Sequence, residues 1–189
     1  MYFFWYSSGY MSGHNKWSKI KHKKAATDGK RSKIFSKHSM LIAMESRRAN
    51  GNLTSPGLVA VIARAKADSM PKDNIDRAVA KGAGATGAAI TEVMYEAFGP
   101  GGTAILITTI TDNNNRTAPE IRSIFTKAGL AIDGPGSAAW AFTKTEDGYV
   151  PLNAVDLSDE DGEKLADLIE KLEDQDDVQD IFTTADSPL

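Results

Sequence analysis

The chain has no cysteine, few histidines and no long apolar run, and each shortage narrows the functions open to it. Without cysteine it has no disulfides, no thiolate metal sites and no cysteine nucleophiles. No apolar run approaches the roughly 20 residues that a membrane-spanning helix needs. The three histidines, His14, His22 and His38, fall in one basic stretch with no acidic cluster beside them, so we expect neither a metal site nor catalysis there.

The first ten residues, MYFFWYSSGY, differ in character from the sequence that follows. This segment is aromatic, too short for the apolar core of a signal peptide, and it lacks the basic residues that precede such a core. A second methionine, Met11, begins a basic sequence. We interpret residues 1–11 as a disordered extension or a mis-assigned start, and we expect a soluble, cytoplasmic protein.

Charge is divided unevenly along the chain. The formal net charge is only -3, but residues 11–90 carry 16 Lys and Arg against 5 Asp and Glu, a net of +11. Residues 91–189 carry 6 against 20, a net of -14. This asymmetry indicates a surface that faces nucleic acid in the first half and an acidic body in the second.

The hydrophobic pattern predicts an α+β protein whose first part, residues 12–81, is a basic helical domain. Ser55 and Pro56 read as the N-cap and first residue of a helix, Pro71 opens another, and Gly82 is suited to end it. Residues 82–91, GAGATGAAIT, have the composition of a flexible hinge.

Residues 92–189 predict an acidic, ferredoxin-like βαββαβ domain. Its expected elements, in order, are a strand over 103–111, a helix capped at Thr117 and ended by Gly129, strands over 137–144 and 149–157 joined by a tight turn, a helix capped by Ser158, and a strand over 178–184. Residues 95–98 are expected to add an edge strand.

The basic segment of the first domain is the main candidate site. Lysine and arginine bind phosphates and displace condensed counterions, and aromatic rings can stack on bases. The alternative is a solvated basic face with Trp17 in the core, since an aromatic residue at helical spacing is usually a core residue. The candidate nucleic-acid-binding residues are Lys16, Trp17, Lys19, Lys21, His22, Lys23, Lys24, Lys30, Arg31, Lys33, Lys37, Lys72 and Arg116.

Three further motifs have less specific readings. Gly82-x-Gly84-x-x-Gly87 matches a dinucleotide fingerprint, but a helix precedes it where a strand is required, so we read a helix end and linker. The loop over 112–117, DNNNRT, either caps a helix or binds an anion through Arg116. The acidic stretch over 173–177 is read as a loop. The alternatives are weak cation binding, repulsion of nucleic acid from the wrong face, or holding of the basic domain in trans.

Several of these stretches together resemble the YebC/PmpR family. The blocks are SGHNKWSKIKHKK at 12–24, DGKRSKIFSK at 28–37, AKADSMPKDNI at 65–75, YEAFGPGG at 95–102, TDNNNRT at 111–117 and LEDQDDVQ at 172–179. The resemblance runs from about residue 11 to residue 186. It implies a transcriptional regulator that binds DNA, related to mitochondrial translational activators of cytochrome oxidase and to bacterial proteins linked to the ribosome.

The chain departs from the family pattern at one place. Members of the family usually carry a third small α/β domain between the two strands that here lie at 137–144 and 149–157. A short turn replaces that domain in this sequence. The resemblance therefore implies an intact basic domain, while any activity that depends on the third domain is in doubt.

We expect a non-enzymatic regulator of gene expression that binds DNA through its basic helical domain, without cofactor, metal or membrane. The alternative is a ribosome-associated translation factor that binds ribosomal or messenger RNA, because phosphate contacts carry no sequence information. An enzyme acting on RNA or nucleotides is a third reading, which lacks a general base, nucleophile or metal cluster in the second domain. The oligomeric state is left open.

Overall fold

The computed structural model describes residues 28–84, 89–145 and 148–186, and the side chains of residues 28–30 lie outside that description. The helical region of this structure consists of α1 (Asp28–Arg48), α2 (Pro56–Ala67) and α3 (Lys72–Ala83). The sheet region follows it, over residues 89–186. The described chain is thus helical first and mixed second, which confirms the α+β class. The predicted domain boundaries and hinge stay predictions, and the aromatic extension lies outside the described residues.

The three helices enclose a small apolar core. Ser55 is extended and precedes Pro56 at the start of α2, as predicted, since proline lacks the N–H that the first helical turn leaves unpaired. The residues that form the core come from all three helices and the short turn before α3. They are Ile42, Leu58, Val61, Ala65, Met70, Ile75 and Ala78.

Gly82 lies inside α3 and not beyond its end, so the prediction that it ends this helix was wrong. Its physical role is close packing, because a Cβ atom at this position would lie 2.1 Å from the Ala43 carbonyl oxygen and 2.7 Å from the Ser46 Cβ. The helix ends at Ala83, and Gly84 follows in an extended conformation. Glycine is therefore required here by the approach of α1, and the sequence of α3 alone does not show that.

The sheet region is built on a four-stranded antiparallel sheet. Its strands are β1 (Thr91–Phe98), β2 (Ala104–Thr111), β3 (Ile132–Asp133) and β6 (Val178–Thr183), in the order β3-β1-β2-β6. The turn over 99–102 joins β1 to β2 as a hairpin in which all eight residues of each strand are paired. The expected edge strand over 95–98 is therefore longer than predicted and lies inside the sheet.

The predicted βαββαβ arrangement was wrong in its central strands. The segments expected to join the sheet instead form a separate hairpin of β4 (Phe142–Thr145) and β5 (Gly148–Pro151). This hairpin covers one face of the sheet, where Phe142 and Tyr149 pack with Leu106. That face of β2 carries apolar side chains, and the hairpin buries them.

Strand β2 is buried along almost its whole length because each face is covered by a different element. Ile105 and Ile107 face α4 (Asn114–Lys127) and α5 (Asp159–Glu173), whereas Leu106 faces the β4–β5 hairpin. Ile110 faces the helical region, where it packs with Met44. The continuous β-branched sequence of this strand, predicted as a central strand, matches this double burial.

The two helices of the sheet region begin differently from each other. Ser158 caps α5 as predicted, since its hydroxyl accepts a hydrogen bond of 3.1 Å from the Asp161 N–H. Helix α4 begins at Asn114, so Thr117 lies within it and does not cap it. Gly129, with φ of 73°, follows the end of α4 as predicted, because only glycine adopts this conformation without strain. Within the described ranges, no helix is both long and apolar enough to cross a membrane.

Candidate nucleic-acid interface

Four predicted cations lie on α1, and the three whose side chains are described have distinct surroundings. Arg31 is exposed, and its guanidinium carbon lies 6.0 Å from the centre of the Phe35 ring, an arrangement typical of a weak cation–π contact. The Lys33 ammonium lies 2.7 Å from an Asp174 carboxylate oxygen. Lys37 is half-buried farther along the helix. The structure thus keeps one predicted phosphate contact solvent-facing and pairs another with the sheet region.

The other two described candidates lie on different elements. Lys72 is the exposed first residue of α3. Arg116 belongs to the first turn of α4, in the sheet region, and faces the helical region across a cleft. Lys72 and Arg116 thus lie on two elements other than α1. Eight candidates are outside what the structure describes, wholly or in their side chains: Lys16, Trp17, Lys19, Lys21, His22, Lys23, Lys24 and Lys30.

A cleft of about 540 Å³ separates the helical region from one end of the sheet region. One wall is made by α1 and α3, and the other by the β2–α4 connection, the first turn of α4 and the residues just before β6. Its cations are Arg77, Lys81 and Arg116, and its carboxylates are Asp112, Asp176 and Asp177, with hydroxyls from Ser32, Ser36 and Ser39. The cleft thus mixes both signs of charge and joins two motifs, DNNNRT and the acidic stretch, that lie far apart in the sequence.

A chain of ion pairs crosses this cleft. The Lys81 ammonium lies 2.9 Å from one Asp112 oxygen, and Arg116 lies 3.5 Å from the other. Arg116 also binds Asp177 at 2.8 Å. The hydrogen bond from Lys81 holds the pKa of Asp112 below its usual value, against the opposing effect of burial. The hydrogen bond and charge of Asp177 raise the pKa of Arg116, so Asp112 and Arg116 both stay charged at neutral pH.

Asp177 is the buried anchor of this arrangement. One of its oxygens accepts hydrogen bonds from Thr117 at 2.6 Å, Arg116 at 2.8 Å and Thr111 at 3.2 Å. A buried carboxylate requires such partners, because a buried charge without a partner destabilises a protein by about 3–5 kcal/mol. In the structure the loop over 112–117 ties α4 and β2 to the acidic stretch through Asp177. The residue before α4, Asn113, makes no side-chain capping hydrogen bond, and Thr117 serves the tie and not a cap.

Sequence reasoning missed several exposed cations of the helical region. They lie on the end of α1 and on α2 and α3: Arg47, Arg48, Arg64, Lys66, Arg77 and Lys81. The signal was present in the net charge of residues 11–90. It was not assigned to these positions because isolated cations on helix faces carry no local motif. Among the described residues, no group of three or more histidines and carboxylates is arranged to hold a metal ion.

These features define a class of protein: an α+β chain in which a basic helical region packs on an acidic sheet region beside a charged cleft. Comparison with known families places the chain more narrowly. The family model described as the TACO1/YebC protein N-terminal domain matches residues 15–85. The model described as the TACO1/YebC second and third domain matches residues 90–147 and 143–185. The chain belongs to the TACO1/YebC family.

Curated relatives carry the name "Probable transcriptional regulatory protein". The one from Dictyoglomus thermophilum is 38% identical over 241 aligned positions, which cover 94% of this chain and 97% of the relative. The one from Dictyoglomus turgidum is 43% identical, covering 94% of this chain and 72% of the relative. These names and the family match support a regulatory role.

A solved structure has a similar fold. The crystal structure of a conserved hypothetical protein, Aq1575 from Aquifex aeolicus, matches with a TM-score of 0.82 and 28% identity, covering 92% of this chain and 98% of that one. The alignment with the Dictyoglomus thermophilum relative is longer than this whole chain, so that relative has residues without counterparts here. The two matched segments of the second model overlap at 143–147, which covers the end of β4 and the residues between β4 and β5, where the third domain was expected.

Proposed function

We propose that this protein regulates gene expression by binding DNA through its basic helical domain. The observation that carries the proposal is the segregation of charge, with exposed cations on all three helices of a region whose sequence has a net charge of +11 over residues 11–90. A surface of this kind binds a phosphate backbone by releasing condensed counterions. The regulatory names of the relatives favour transcription as the process that is regulated.

The binding residues are those of the basic segment and its continuation onto α1, with contributions from Lys72 and Arg116. Lysines 21, 23 and 24 stand closest together in the sequence and contribute the highest local charge. Arg31 is exposed on α1 and continues that charge into the described region. Contacts of this type position the protein on the duplex, and they do not by themselves select a base sequence.

Replacing Lys21, Lys23 and Lys24 with Glu tests the proposal. We expect the variant to bind a mixed-sequence DNA duplex more weakly, and the slope of log affinity against log salt to fall by about 2.7, since each lost phosphate contact removes about 0.9. Fluorescence anisotropy across a salt series measures both quantities.

A matched triple variant controls for net charge. Lys127, Lys164 and Lys171 all lie exposed on the helices of the sheet region, so their replacement with Glu changes the total charge by the same amount. The proposal requires this control to retain most of the affinity and slope. Equal losses in the two triple variants would place the contact elsewhere, and a strong preference for structured RNA over the duplex would move the function to translation.

A further inference from the structure

Among the described residues, three ion pairs join the helical region to the sheet region, and these three have the same direction. The helical region supplies the cation and the sheet region supplies the carboxylate in each of them. The pairs are Lys33 with Asp174 at 2.7 Å, Lys81 with Asp112 at 2.9 Å and Arg48 with Glu92 at 3.0 Å. Carboxylates of the sheet region therefore pair with cations of the helical region, which is the region proposed to bind phosphate groups.

These ion pairs are not what holds the two regions together. Apart from Asp112, their side chains are 39–66% open to solvent, and ion pairs as open as this contribute little to stability. The regions are joined instead by an apolar contact in which Ala43 and Met44 of α1 pack with Ile90 and Ile110. A carboxylate can therefore leave its cation without separation of the two regions.

The pair of Lys33 with Asp174 is the easiest to exchange. The Asp174 side chain is 66% exposed and lies at the end of α5, whereas Asp112 is only 29% exposed and is held by Arg116 as well. Arg77 lines the cleft together with Lys81 and Asp112. It donates to the Asp73 carbonyl oxygen and to the Asn74 side chain and not to any carboxylate of the described residues. The helical region thus presents one guanidinium that binds no carboxylate of the described residues, that of Arg77, and two ammonium groups that do, those of Lys33 and Lys81.

We infer that Asp174 and Asp112 stand where phosphate groups of a bound polynucleotide lie, so that Lys33, Lys81 and Arg77 form a second stretch of nucleic-acid surface that the acidic region covers in the free protein. The inference rests on the proposed function and deepens it. A phosphate takes the place of a carboxylate on the same cation, so binding begins with a competition inside one molecule. A ligand of low charge density loses that competition, whereas a polynucleotide, which offers many phosphates at once, wins it.

Asp174→Asn removes the negative charge that competes with phosphate for Lys33 and keeps the size and shape of the side chain. We expect this variant to bind a labelled mixed-sequence DNA duplex about two- to fivefold more tightly at low salt, the range that corresponds to one exposed ion pair. Asp167→Asn is the matched control, because Asp167 is similarly exposed on α5 and pairs with Lys171 of the same helix. The control loses the same charge without uncovering a cation of the helical region.

A second pair of variants ties the effect to Lys33. In a Lys33→Ala background, the gain from Asp174→Asn should vanish, since no cation remains to be uncovered. An equal gain from Asp167→Asn, no gain from Asp174→Asn, or a gain that persists without Lys33 would overturn the inference while leaving the proposed function intact. Failure of the wild type and every variant to bind any nucleic acid would instead overturn the proposed function.

Discussion

At the scale of single residues, Glu96 is a buried carboxylate whose role is structural. Its side chain is only 3% exposed and accepts hydrogen bonds from the backbone N–H groups of Gly136, Ala138 and Ala139, at 2.7, 2.8 and 2.7 Å. It thereby fastens the loop before the β4–β5 hairpin to strand β1. Burial alone would raise the pKa of Glu96, but the three donors outweigh it and the pKa is lowered.

We expect Glu96→Gln to destabilise the fold by about 2–3 kcal/mol, because the amide NH2 group cannot accept from the donors that face it. Urea denaturation measures the loss. Glu92→Gln, at an exposed position on the same strand, should cost less than about 1 kcal/mol. Equal effects of the two substitutions would show that the three backbone contacts contribute nothing special.

The same carboxylate predicts a pH dependence. Because its pKa is lower in the folded chain than the ordinary 4.5, its stabilisation is complete above that value and is lost as the pH falls below it. The wild type should therefore lose stability more steeply than Glu96→Gln on acidification below about 4.5. Parallel stability curves would contradict the assignment.

At the scale of elements, the contact between α1 and α3 depends on Gly82. Alanine in place of a helical glycine is ordinarily favourable by about 0.5–1 kcal/mol. Here the added methyl group would overlap the Ala43 carbonyl oxygen, a backbone atom that cannot move without shifting α1. The sign of the effect is thus set by packing between elements and not by helix propensity.

We expect Gly82→Ala to destabilise the chain by about 1–3 kcal/mol, the usual cost of overpacking. Gly57→Ala is the matched control, since a Cβ there meets only the flexible end of the Glu45 side chain. Thermal unfolding of the two variants should give opposite or clearly unequal shifts. A stabilised Gly82→Ala variant would mean that α1 and α3 are farther apart than the structure places them.

Local sequence signals predicted the elements well and their arrangement less well. The start of α2 at Pro56, the cap of α5 at Ser158 and the buried strand β2 are confirmed, because each depends on neighbouring residues or on one continuous pattern. The pairing of β1 and the placement of the β4–β5 hairpin depend on which faces of β2 remain uncovered, a long-range property. The hydrogen bond between Thr117 and Asp177, which lie 60 residues apart, is likewise long-range and cannot be read from neighbouring residues.

The candidate site, too, could be predicted only in part from the sequence. Its charge could be read from composition, and Lys33, Arg31 and Arg116 were named from their motifs. The partners of these cations could not be predicted. Asp174 lies 141 residues from Lys33 in the sequence, and the ion pair forms only once the sheet region has folded beside α1. The acidic stretch was predicted as a loop, and in the structure its Asp174 pairs with Lys33 of the helical region in the same chain.

At the scale of the whole molecule, opposite charges are placed on two regions that share an apolar contact and a charged cleft. This arrangement lets a chain with a net charge of only -3 present a strongly basic surface to one kind of partner. Membership in the TACO1/YebC family and the regulatory names of its relatives agree with such a use. Phosphate contacts act equally on DNA and RNA, so the partner has to be identified directly.

Cross-linking and sequencing of the nucleic acid bound to the intact protein in cells, with sucrose-gradient fractionation of the same lysate, tests the central claim most directly. The account predicts enrichment of discrete promoter DNA and absence of the protein from ribosomal fractions. Enrichment of ribosomal RNA, with the protein co-migrating on ribosomes, would contradict transcriptional regulation and make the protein a translation factor.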